Sequence, residues 1–376
     1  MANAREPFCL IEDRSRGTLH FAAPRRIVTA YHAEEVAPAL ALLQQAAREN
    51  FWAAGHVAYE CGLALEPRLL PLLGPRKTPL LQFGIFEAPS APPAVSVAPA
   101  PEIADVRPLW RFEDYRRRFD ACRAYIEAGD VYQINLTFPL SGCFAGDPRD
   151  LYRALRLRQP VEIGGIVALG DETILSLSPE KFFSTERQRI FTRPMKGTAP
   201  RGKTWDDDRA LVARLAADEK NRAENLMIVD LLRNDLSRLS EVGSVQVTDL
   251  YTVETFPTLH QMTSGVQAVL RTDLSFLDIF AGLFPCGSVT GAPKIRAMEI
   301  IAEQEAFSRG AYCGAMGVIA PGGDMRFNVA IRTLTLGADG ALTCPVGSAI
   351  VADSRAEEEY EECLLKARFL APTISA

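Results

Sequence analysis

One lysine, Lys196, lies in a segment whose neighbours restrict the backbone on both sides. Pro194 fixes φ shortly before the lysine, and Gly197 frees the chain directly after it. A desolvated lysine close to another cation loses its proton easily and can then act as a nucleophile. The segment therefore indicates covalent chemistry at Lys196. The simpler alternative is a solvated lysine in an ordinary turn.

Two glutamates could supply acid–base or metal chemistry. Glu180 follows a proline between apolar strand segments, where a surface turn is the default interpretation. Glu224 lies in a helix predicted from about Asp218 to Arg233, which is apolar nearly all round and is expected to be buried. A buried carboxylate requires a cation, a metal or a hydrogen-bond donor. An internal salt bridge, such as one to Arg233, is the structural alternative for the acidic residues of this helix, Asp230 among them.

A row of charges near the C-terminus repeats at helical spacing. Glu359, Glu362 and Lys366 share one face of a helix that is expected to open with a capping box from Ser354 to Glu357. Such a row is usually a solvated charge ladder. The small residues 347–349 precede it, and a carboxylate could approach their backbone amides closely.

The elements that position these residues mix strands and helices. A glycine-rich turn over 282–294 leads into a helix, and free amides there can hold an anion, although the spacing is not that of a P-loop. Residues 130–137 alternate as a strand with Gln133, Asn135 and Thr137 on one face. That face is either solvated or lines a substrate cavity. The segment 88–101 holds five prolines and five alanines and is interpreted as a connector.

Composition excludes several classes of protein. The net charge of −6 over 376 residues, without a long basic run, argues against a nucleic-acid protein. The eight cysteines are scattered and predict reduced packing residues, and the four histidines form no zinc pattern. No stretch is long enough to span a bilayer, and residues 1–10 contain no apolar leader, so we expect a cytoplasmic protein.

Several runs taken together resemble the chorismate-utilising enzymes, and within that family its aminodeoxychorismate synthase component I branch. The matching runs are 129–136 (GDVYQINL), 178–180 (SPE), 194–198 (PMKGT), 224–236 (ENLMIVDLLRNDL), 287–299 (GSVTGAPKIRAME) and 350–354 (IVADS). They occur in order between about residues 110 and 370. The resemblance implies an α+β fold with two large, mostly antiparallel sheets packed face to face, helices outside and the site in the cleft. It also implies an N-terminal segment, 1–107, and a chorismate-binding catalytic domain, 108–376.

The resemblance also implies a role for each matching residue. The metal ligands for Mg²⁺ are Glu224 and Glu362, with Glu359 close by, and carboxylates are the ligands that Mg²⁺ prefers. The catalytic residues are Lys196, which would attack ring C2, Glu180, which would protonate the departing C4 hydroxyl, and His260, whose role is open. The substrate-binding residues are Ser288, Tyr312, Arg332, Gly347, Ser348, Ala349, Lys366 and Thr198.

Two positions separate the branches of this family. Lysine at 196 is typical of the branch that aminates chorismate for para-aminobenzoate and folate synthesis, whereas the anthranilate synthase branch has alanine there. Gln133 stands where the water-using members carry a lysine base. The sequence contains no Gly-x-Cys-x-Gly elbow, so ammonia is expected from a separate glutamine amidotransferase subunit. The alternatives are anthranilate synthase component I and a chorismate-binding protein without turnover.

Overall fold

The computed structural model describes residues 6–92, 101–159, 161–256 and 259–370. Within these ranges the chain forms two large antiparallel sheets, packed face to face, with helices outside them. The α+β architecture expected from the resemblance is therefore confirmed.

The first sheet joins strands from the beginning, middle and end of the chain. Its order is β15-β7-β19-β18-β9-β8-β1-β2, and β6 pairs with the outer part of β7. The strands are β1 (Phe8–Asp13), β2 (Gly17–Ala22), β6 (Glu102–Pro108), β7 (Gln133–Ala145), β8 (Ile163–Ala168), β9 (Glu172–Ser176), β15 (Gly291–Ala292), β18 (Thr333–Gly337) and β19 (Ala341–Ile350).

The second sheet has the order β12-β14-β11-β10-β17-β16-β4-β5-β3, and β13 also pairs with β14. The strands are β3 (Arg26–Ala30), β4 (Trp52–Val57), β5 (Leu81–Phe86), β10 (Lys181–Glu186), β11 (Arg189–Arg193), β12 (Met195–Pro200), β13 (Gln246–Thr255), β14 (Leu259–Val269), β16 (Ala315–Ile319) and β17 (Met325–Val329).

The helices of the described ranges cover the outer faces of the sheets. They are α1 (Ala33–Arg48), α2 (Cys61–Leu65), α3 (Phe112–Glu127), α4 (Pro148–Arg156), α5 (Trp205–Ala217), α6 (Glu219–Ser237), α7 (Phe276–Leu283), α8 (Lys294–Gln304) and α9 (Ala356–Lys366). Short polar side chains cap several of them: Asp147, Thr204, Asp218 and Ser275 each accept a hydrogen bond from a first-turn amide. None of these helices is long and apolar enough to cross a membrane.

Alternating apolar residues build the core between the sheets. Ile11 and Val167 of the first sheet meet Ala54, Met316 and Val318 of the second. Burying such side chains contributes about 1.5–3 kcal/mol each for the larger ones. All eight cysteines carry free thiols, and seven of them are buried.

The N-terminal segment is built into both sheets. β1 pairs with β8 in the first sheet, and β4 pairs with β16 in the second. Strands from both sides of residue 107 therefore share each sheet, and β6 itself runs across that boundary. The division into 1–107 and 108–376 stays a prediction about folding units. Residues 93–100 of the predicted connector lie outside the described residues.

Two local expectations are wrong, while the salt bridge expected as the alternative for Asp230 is present. The helix near residue 224 is not buried all round, because Leu226 is exposed and only one side of α6 packs on the sheet. Its Asp230–Arg233 salt bridge does form, at 2.7 Å, but on the surface. Ser354 does not cap the last helix, which begins at Ala356. Its hydroxyl donates to Glu359 instead.

Candidate active site

Two chain crossings between the sheets carry two of the expected site residues. Glu180 lies in the connection from β9 in the first sheet to β10 in the second, and Arg332 lies in the connection from β17 back to β18. The crossings are joined by hydrogen bonds from the Leu177 amide to the Arg332 carbonyl (3.0 Å) and from the Val329 amide to the Glu180 carbonyl (3.1 Å). The two side chains are thus held by one backbone frame between the sheets.

Glu180 is buried, and its Oε1 has no hydrogen-bond partner among the described residues. Burial raises the pKa of its carboxyl to about 7, although a hydrogen bond from Ser288 and the charge of Lys196 oppose the shift. A carboxyl with this pKa is partly protonated near neutral pH. It can therefore donate a proton to a departing group.

Lys196 emerges from a β-bulge in β12. Met195 pairs with Thr263 of β14 and Thr198 pairs with Gln261, so two residues of β12, Lys196 and Gly197, face one residue of β14. The side chain of Lys196 is only 17% exposed, and its Nζ lies 4.0 Å from Oε2 of Glu224. Burial lowers the pKa of Lys196, as does Lys366, whereas the nearby glutamates oppose the shift. The solvated-turn alternative is not what the structure shows.

Carboxylates and ammonium groups alternate where α6 approaches α9. Glu362 pairs with Lys366 at 2.7 Å, and Glu359 accepts from Ser354 at 2.7 Å. Burial raises the pKa of Glu359. Burial acts in the same direction on Glu362, but the charges of Lys366, Lys196 and Lys220 together outweigh it and lower the pKa of that carboxyl.

One ion pair that links these helices was not anticipated from the sequence. Lys220 of α6 donates to Asp353, just before α9, at 2.9 Å, and its charge also acts on Glu224 and Glu359. Two signals could have revealed it. Lys220 lies one turn before Glu224 on the same helix face, and Asp353 belongs to the matching run 350–354.

A cationic and backbone surface faces these acids. Lys366 donates to the Gly347 carbonyl at 2.9 Å. Gly347, Ser348 and Ala349 pair with β7 on one side, while β18 pairs with β19 only through residues 342 and 343. Arg332 has a left-handed φ of 49° and is enclosed, and burial lowers its pKa to about 10, with Tyr312 opposing the shift. An enclosed guanidinium with no carboxylate acting on it suits a carboxylate ligand.

The polar face of β7 is buried, so its solvated-face alternative is wrong. Gln133, Asn135 and Thr137 are at most 7% exposed. Neither atom of the Gln133 amide has a partner among the described residues, and this side chain lies in β7 beside Ala292 of β15. A buried amide without partners leaves two hydrogen-bonding positions for a ligand.

Two expected site residues lie apart from this cluster. His260 is fully buried, with Nε2 2.9 Å from Asp208 and Nδ1 2.9 Å from the Thr255 hydroxyl. Arg201, directly after β12, donates to Asp208 of α5 and lowers the pKa of that carboxyl. This ion pair joins β12 to α5. The exposed Thr198 donates to Gln261 at 3.0 Å. Both residues hold the strand that carries Lys196, and neither is in contact with the lysine.

The donor chemistry of the acidic cluster suits Mg²⁺, since Glu224, Glu359 and Glu362 offer only carboxylate oxygens. Their side chains do not converge as a metal site requires: within the described ranges no three acidic, histidine or cysteine side chains form such a group. Lysines take the place of a cation, with Lys196 beside Glu224 and Lys366 beside Glu362. The residues thus fit the ion in chemistry and charge, and in this structure Glu224 and Glu362 are paired with ammonium groups while Glu359 accepts from Ser354.

Comparison with known proteins is consistent with this arrangement. The family model described as chorismate binding enzyme matches residues 5–372. The chain belongs to the chorismate binding enzyme family. The aminodeoxychorismate synthase component 1 of Klebsiella aerogenes is 40% identical over 288 residues, which are 76% of this chain and 62% of that protein. The anthranilate synthase component 1 of Thermus thermophilus is 41% identical over 70% of this chain and 56% of its own length.

The chain therefore spans less than two thirds of the length of these two relatives. Among solved structures, anthranilate synthase component I from Streptococcus pneumoniae matches with a TM-score of 0.78 and 27% identity, over 98% of this chain and 91% of that one. The menaquinone-specific isochorismate synthase of Escherichia coli matches with a TM-score of 0.77 at 17% identity, covering 98% and 90%. The second likeness concerns the fold alone.

Proposed function

We propose that this chain converts chorismate and ammonia to 4-amino-4-deoxychorismate, as an aminodeoxychorismate synthase component 1. The observation that carries the proposal is the placement of Lys196, enclosed, with a lowered pKa, within electrostatic reach of Glu180. A neutral amine and a protonated carboxyl are the pair that nucleophilic displacement of a hydroxyl requires.

The reaction follows from these two groups. The neutral Nζ of Lys196 forms a bond to ring C2, both conjugated ring double bonds shift toward C4, and the C4–O bond breaks as Glu180 gives its proton to the departing hydroxyl, which leaves as water. Ammonia then forms a bond to C4, both double bonds shift back, and the C2–N bond to Lys196 breaks. The proton lost by the incoming ammonia restores Glu180. The products are aminodeoxychorismate and water, and the enzyme returns to its starting state.

Chorismate is a dianion, and the site offers separate groups for its carboxylates. Arg332, Tyr312 and the backbone amides of residues 347–349 would hold one of them, and Ser288 and Lys366 would orient the ring. Mg²⁺ held by Glu224 and Glu362, with Glu359 nearby, would supply positive charge for the ring carboxylate. The glutamates would then exchange their lysine partners for the ion.

Ammonia is proposed to come from a separate glutamine amidotransferase. The relatives that share the name component 1 support a second component, and free ammonia is a minor species near neutral pH. A purified amidotransferase subunit should therefore confer glutamine-dependent activity on this chain. Its failure to do so, when the chain is active with ammonium salts, would overturn this part of the proposal.

Anthranilate synthesis is the second candidate, favoured by the relative from Thermus thermophilus and by the structure from Streptococcus pneumoniae. In that reaction ammonia itself attacks C2 and pyruvate is lost later, so no lysine is needed. Lys196 in the cleft argues for the first candidate. Gln133, buried with a free amide, suits an ammonia nucleophile in either one.

Product analysis separates the candidates. The pure chain is mixed with chorismate, Mg²⁺ and an ammonium salt at mildly alkaline pH, and products are identified by mass spectrometry. Aminodeoxychorismate, which keeps the pyruvyl group, is expected. Anthranilate with free pyruvate would overturn the assignment. Chorismate that remains unconsumed, even with the amidotransferase present, would favour a binding protein without turnover.

A further inference from the structure

We infer that Gln261 is a positioning residue that fixes the β-bulge from which Lys196 projects. The inference rests on the proposed function for the role of Lys196, but the bulge and its contacts are independent of that role. Gln261 lies on β14, and its hydrogen bonds go to the bulge and not to the charged side chains around Lys196.

The bulge leaves backbone groups outside the sheet ladder. Lys196 and Gly197 together face Met262, so the pairing between β12 and β14 is interrupted at the lysine. Gly197 has a φ of 85°, and a Cβ there would lie 2.8 Å from Oδ1 of Asn221. The bulge is therefore closed by α6 on one side, and a larger residue at 197 would be strained.

Gln261 supplies the contacts that the ladder lacks. Its Nε2 donates to the Gly197 carbonyl at 2.8 Å, and its Oε1 accepts from the Thr198 hydroxyl at 3.0 Å. The side chain of Gln261 thus binds both Gly197 and Thr198, the two residues that follow Lys196. Without it, the partly buried Gly197 carbonyl would lose its partner at some cost in free energy.

Packing does not replace these bonds. A small pocket of about 10 Å³ adjoins this part of β12 and is lined by Pro179, Met195, Phe256, Leu259, Gln261 and Arg332. A pocket of this size has room for about one water molecule and for no further side chain. The hydrogen bonds of Gln261 are then what sets the direction of Lys196 relative to the crossing that holds Glu180.

Another glutamine on the same strand provides a matched control. Gln267 also carries an amide on β14, but its Nε2 donates to Gln246 at 3.1 Å, at the far end of the β13 pairing. Replacing Gln261 or Gln267 with Met removes the same groups from the same strand. Only the first replacement touches the bulge.

The test is a double-mutant cycle on the full chain with chorismate, Mg²⁺ and ammonium. Gln261→Met is expected to lower kcat by about 10–100-fold, since a displacement on the order of 1 Å can cost that much. The KM for chorismate should change less than kcat, because the hydrogen bonds of Gln261 go to residues 197 and 198 and not to Arg332. Gln267→Met should match the wild type. Introduced into Lys196→Ala, Gln261→Met should cause no further loss of kcat.

Gln261→Glu is the second variant and guards against a folding defect. It keeps an acceptor for Thr198 but cannot donate to the Gly197 carbonyl, so the same loss of kcat is expected with a melting temperature like that of Gln267→Met. A loss of kcat that persists in the Lys196→Ala background would overturn the inference. So would a kcat for Gln261→Met equal to that of Gln267→Met.

A readout without turnover separates this inference from the proposed function. If Lys196→Ala retains full activity, the proposed function fails, and Gln261 is judged by the rate at which acetic anhydride modifies Lys196, measured by peptide mass spectrometry. Gln261→Met should change that rate while the exposed Lys220 reacts as before. An unchanged rate at Lys196 would overturn the inference.

Discussion

The Glu305–Arg309 pair and the cluster around Lys196 both contain buried charged groups. They differ in whether those groups find their hydrogen-bond and ion-pair partners within the protein. Arg309 and Glu305 are 1% and 2% exposed, and Nη2 of the arginine lies 2.6 Å from the carboxylate. The guanidinium also donates to the carbonyls of Val289 and Asn135 at 2.9 and 2.7 Å. Every charge in this pair has its partner within the protein.

In the cluster around Lys196, by contrast, several buried polar groups lack a partner within the described protein. Within the described part of the chain, one oxygen of Glu180 and the amide of Gln133 have no hydrogen-bond partner, and Lys196 meets Glu224 only at 4.0 Å. Burying a polar group without a partner costs free energy, so such groups are retained where a ligand completes them. The comparison teaches that the completed ion pair belongs to the frame of the fold, whereas the incomplete groups around Lys196 leave hydrogen-bonding positions for a ligand.

The two regions are also connected. Arg309 binds the carbonyl of Val289, next to Ser288, and that of Asn135, two residues from Gln133. The completed pair thus fixes the backbone on which part of the incomplete site is built. Changes in the cluster should act mainly on activity, whereas changes in the pair should act mainly on stability and, through this backbone, on activity as well.

The largest effect is expected for Lys196→Ala. Removing a nucleophile should lower kcat for aminodeoxychorismate formation by about 10³-fold or more, because the covalent route is lost. The melting temperature should stay the same or rise, since an enclosed charge is removed. A steady-state assay with product quantified by mass spectrometry checks the first point. Retention of full activity in Lys196→Ala would contradict the assignment of the cluster around Lys196 as the active site.

Arg309→Met should act mainly on stability. It leaves Glu305 buried without its partner, and breaking such a pair costs about 3–5 kcal/mol. Thermal unfolding should show a melting temperature lower by about 4–6 °C. The replacement of both residues, Glu305→Leu with Arg309→Met, should recover part of the loss. A single variant as stable as the wild type would show that this pair does not hold the fold.

Glu180→Gln should change the pH dependence. The pKa of Glu180 in the free protein is raised to about 7, so its protonated form is lost as pH rises through that value. In the wild type kcat/KM should therefore fall on the alkaline side with a pKa near 7. The variant should lack this limb and lose about 10²-fold in kcat. An unchanged alkaline limb in Glu180→Gln would assign the acid to another group.

The smallest effect is expected at the surface. Asp230 and Arg233 form an exposed pair at 2.7 Å on the same helix as Glu224. Exposed pairs contribute about 0–1 kcal/mol, so Arg233→Ala should change neither the melting temperature nor kcat measurably. This variant serves as the reference for the other three. A clear loss in it would show that α6 responds to any change of charge.

The matching runs predicted the fold, which the structure confirms, and they assigned roles to site residues that stay predictions. What could not be predicted depends on contacts between residues far apart in the sequence. Glu180 and Arg332 lie in connections between the sheets, and Lys196 lies at a β-bulge of the second sheet, so local patterns do not reveal that the three belong to one site. The alternation in β7 left the face of Gln133 open, since burial depends on Arg309 and on β15. Ser354 matched a capping box, but its hydroxyl is used by Glu359 across the helix start. Leu226 was expected in the core because periodicity cannot tell which side of a largely apolar helix is covered.

The most direct test of the central claim is a rapid-quench experiment with chorismate, Mg²⁺ and limiting ammonia, followed by peptide mass spectrometry. The account predicts an adduct with the mass of chorismate less one water, on the peptide that contains Lys196 and absent from Lys196→Ala. Aminodeoxychorismate formed on the same time scale with no adduct on Lys196, or with Lys196→Ala equally active, would contradict it.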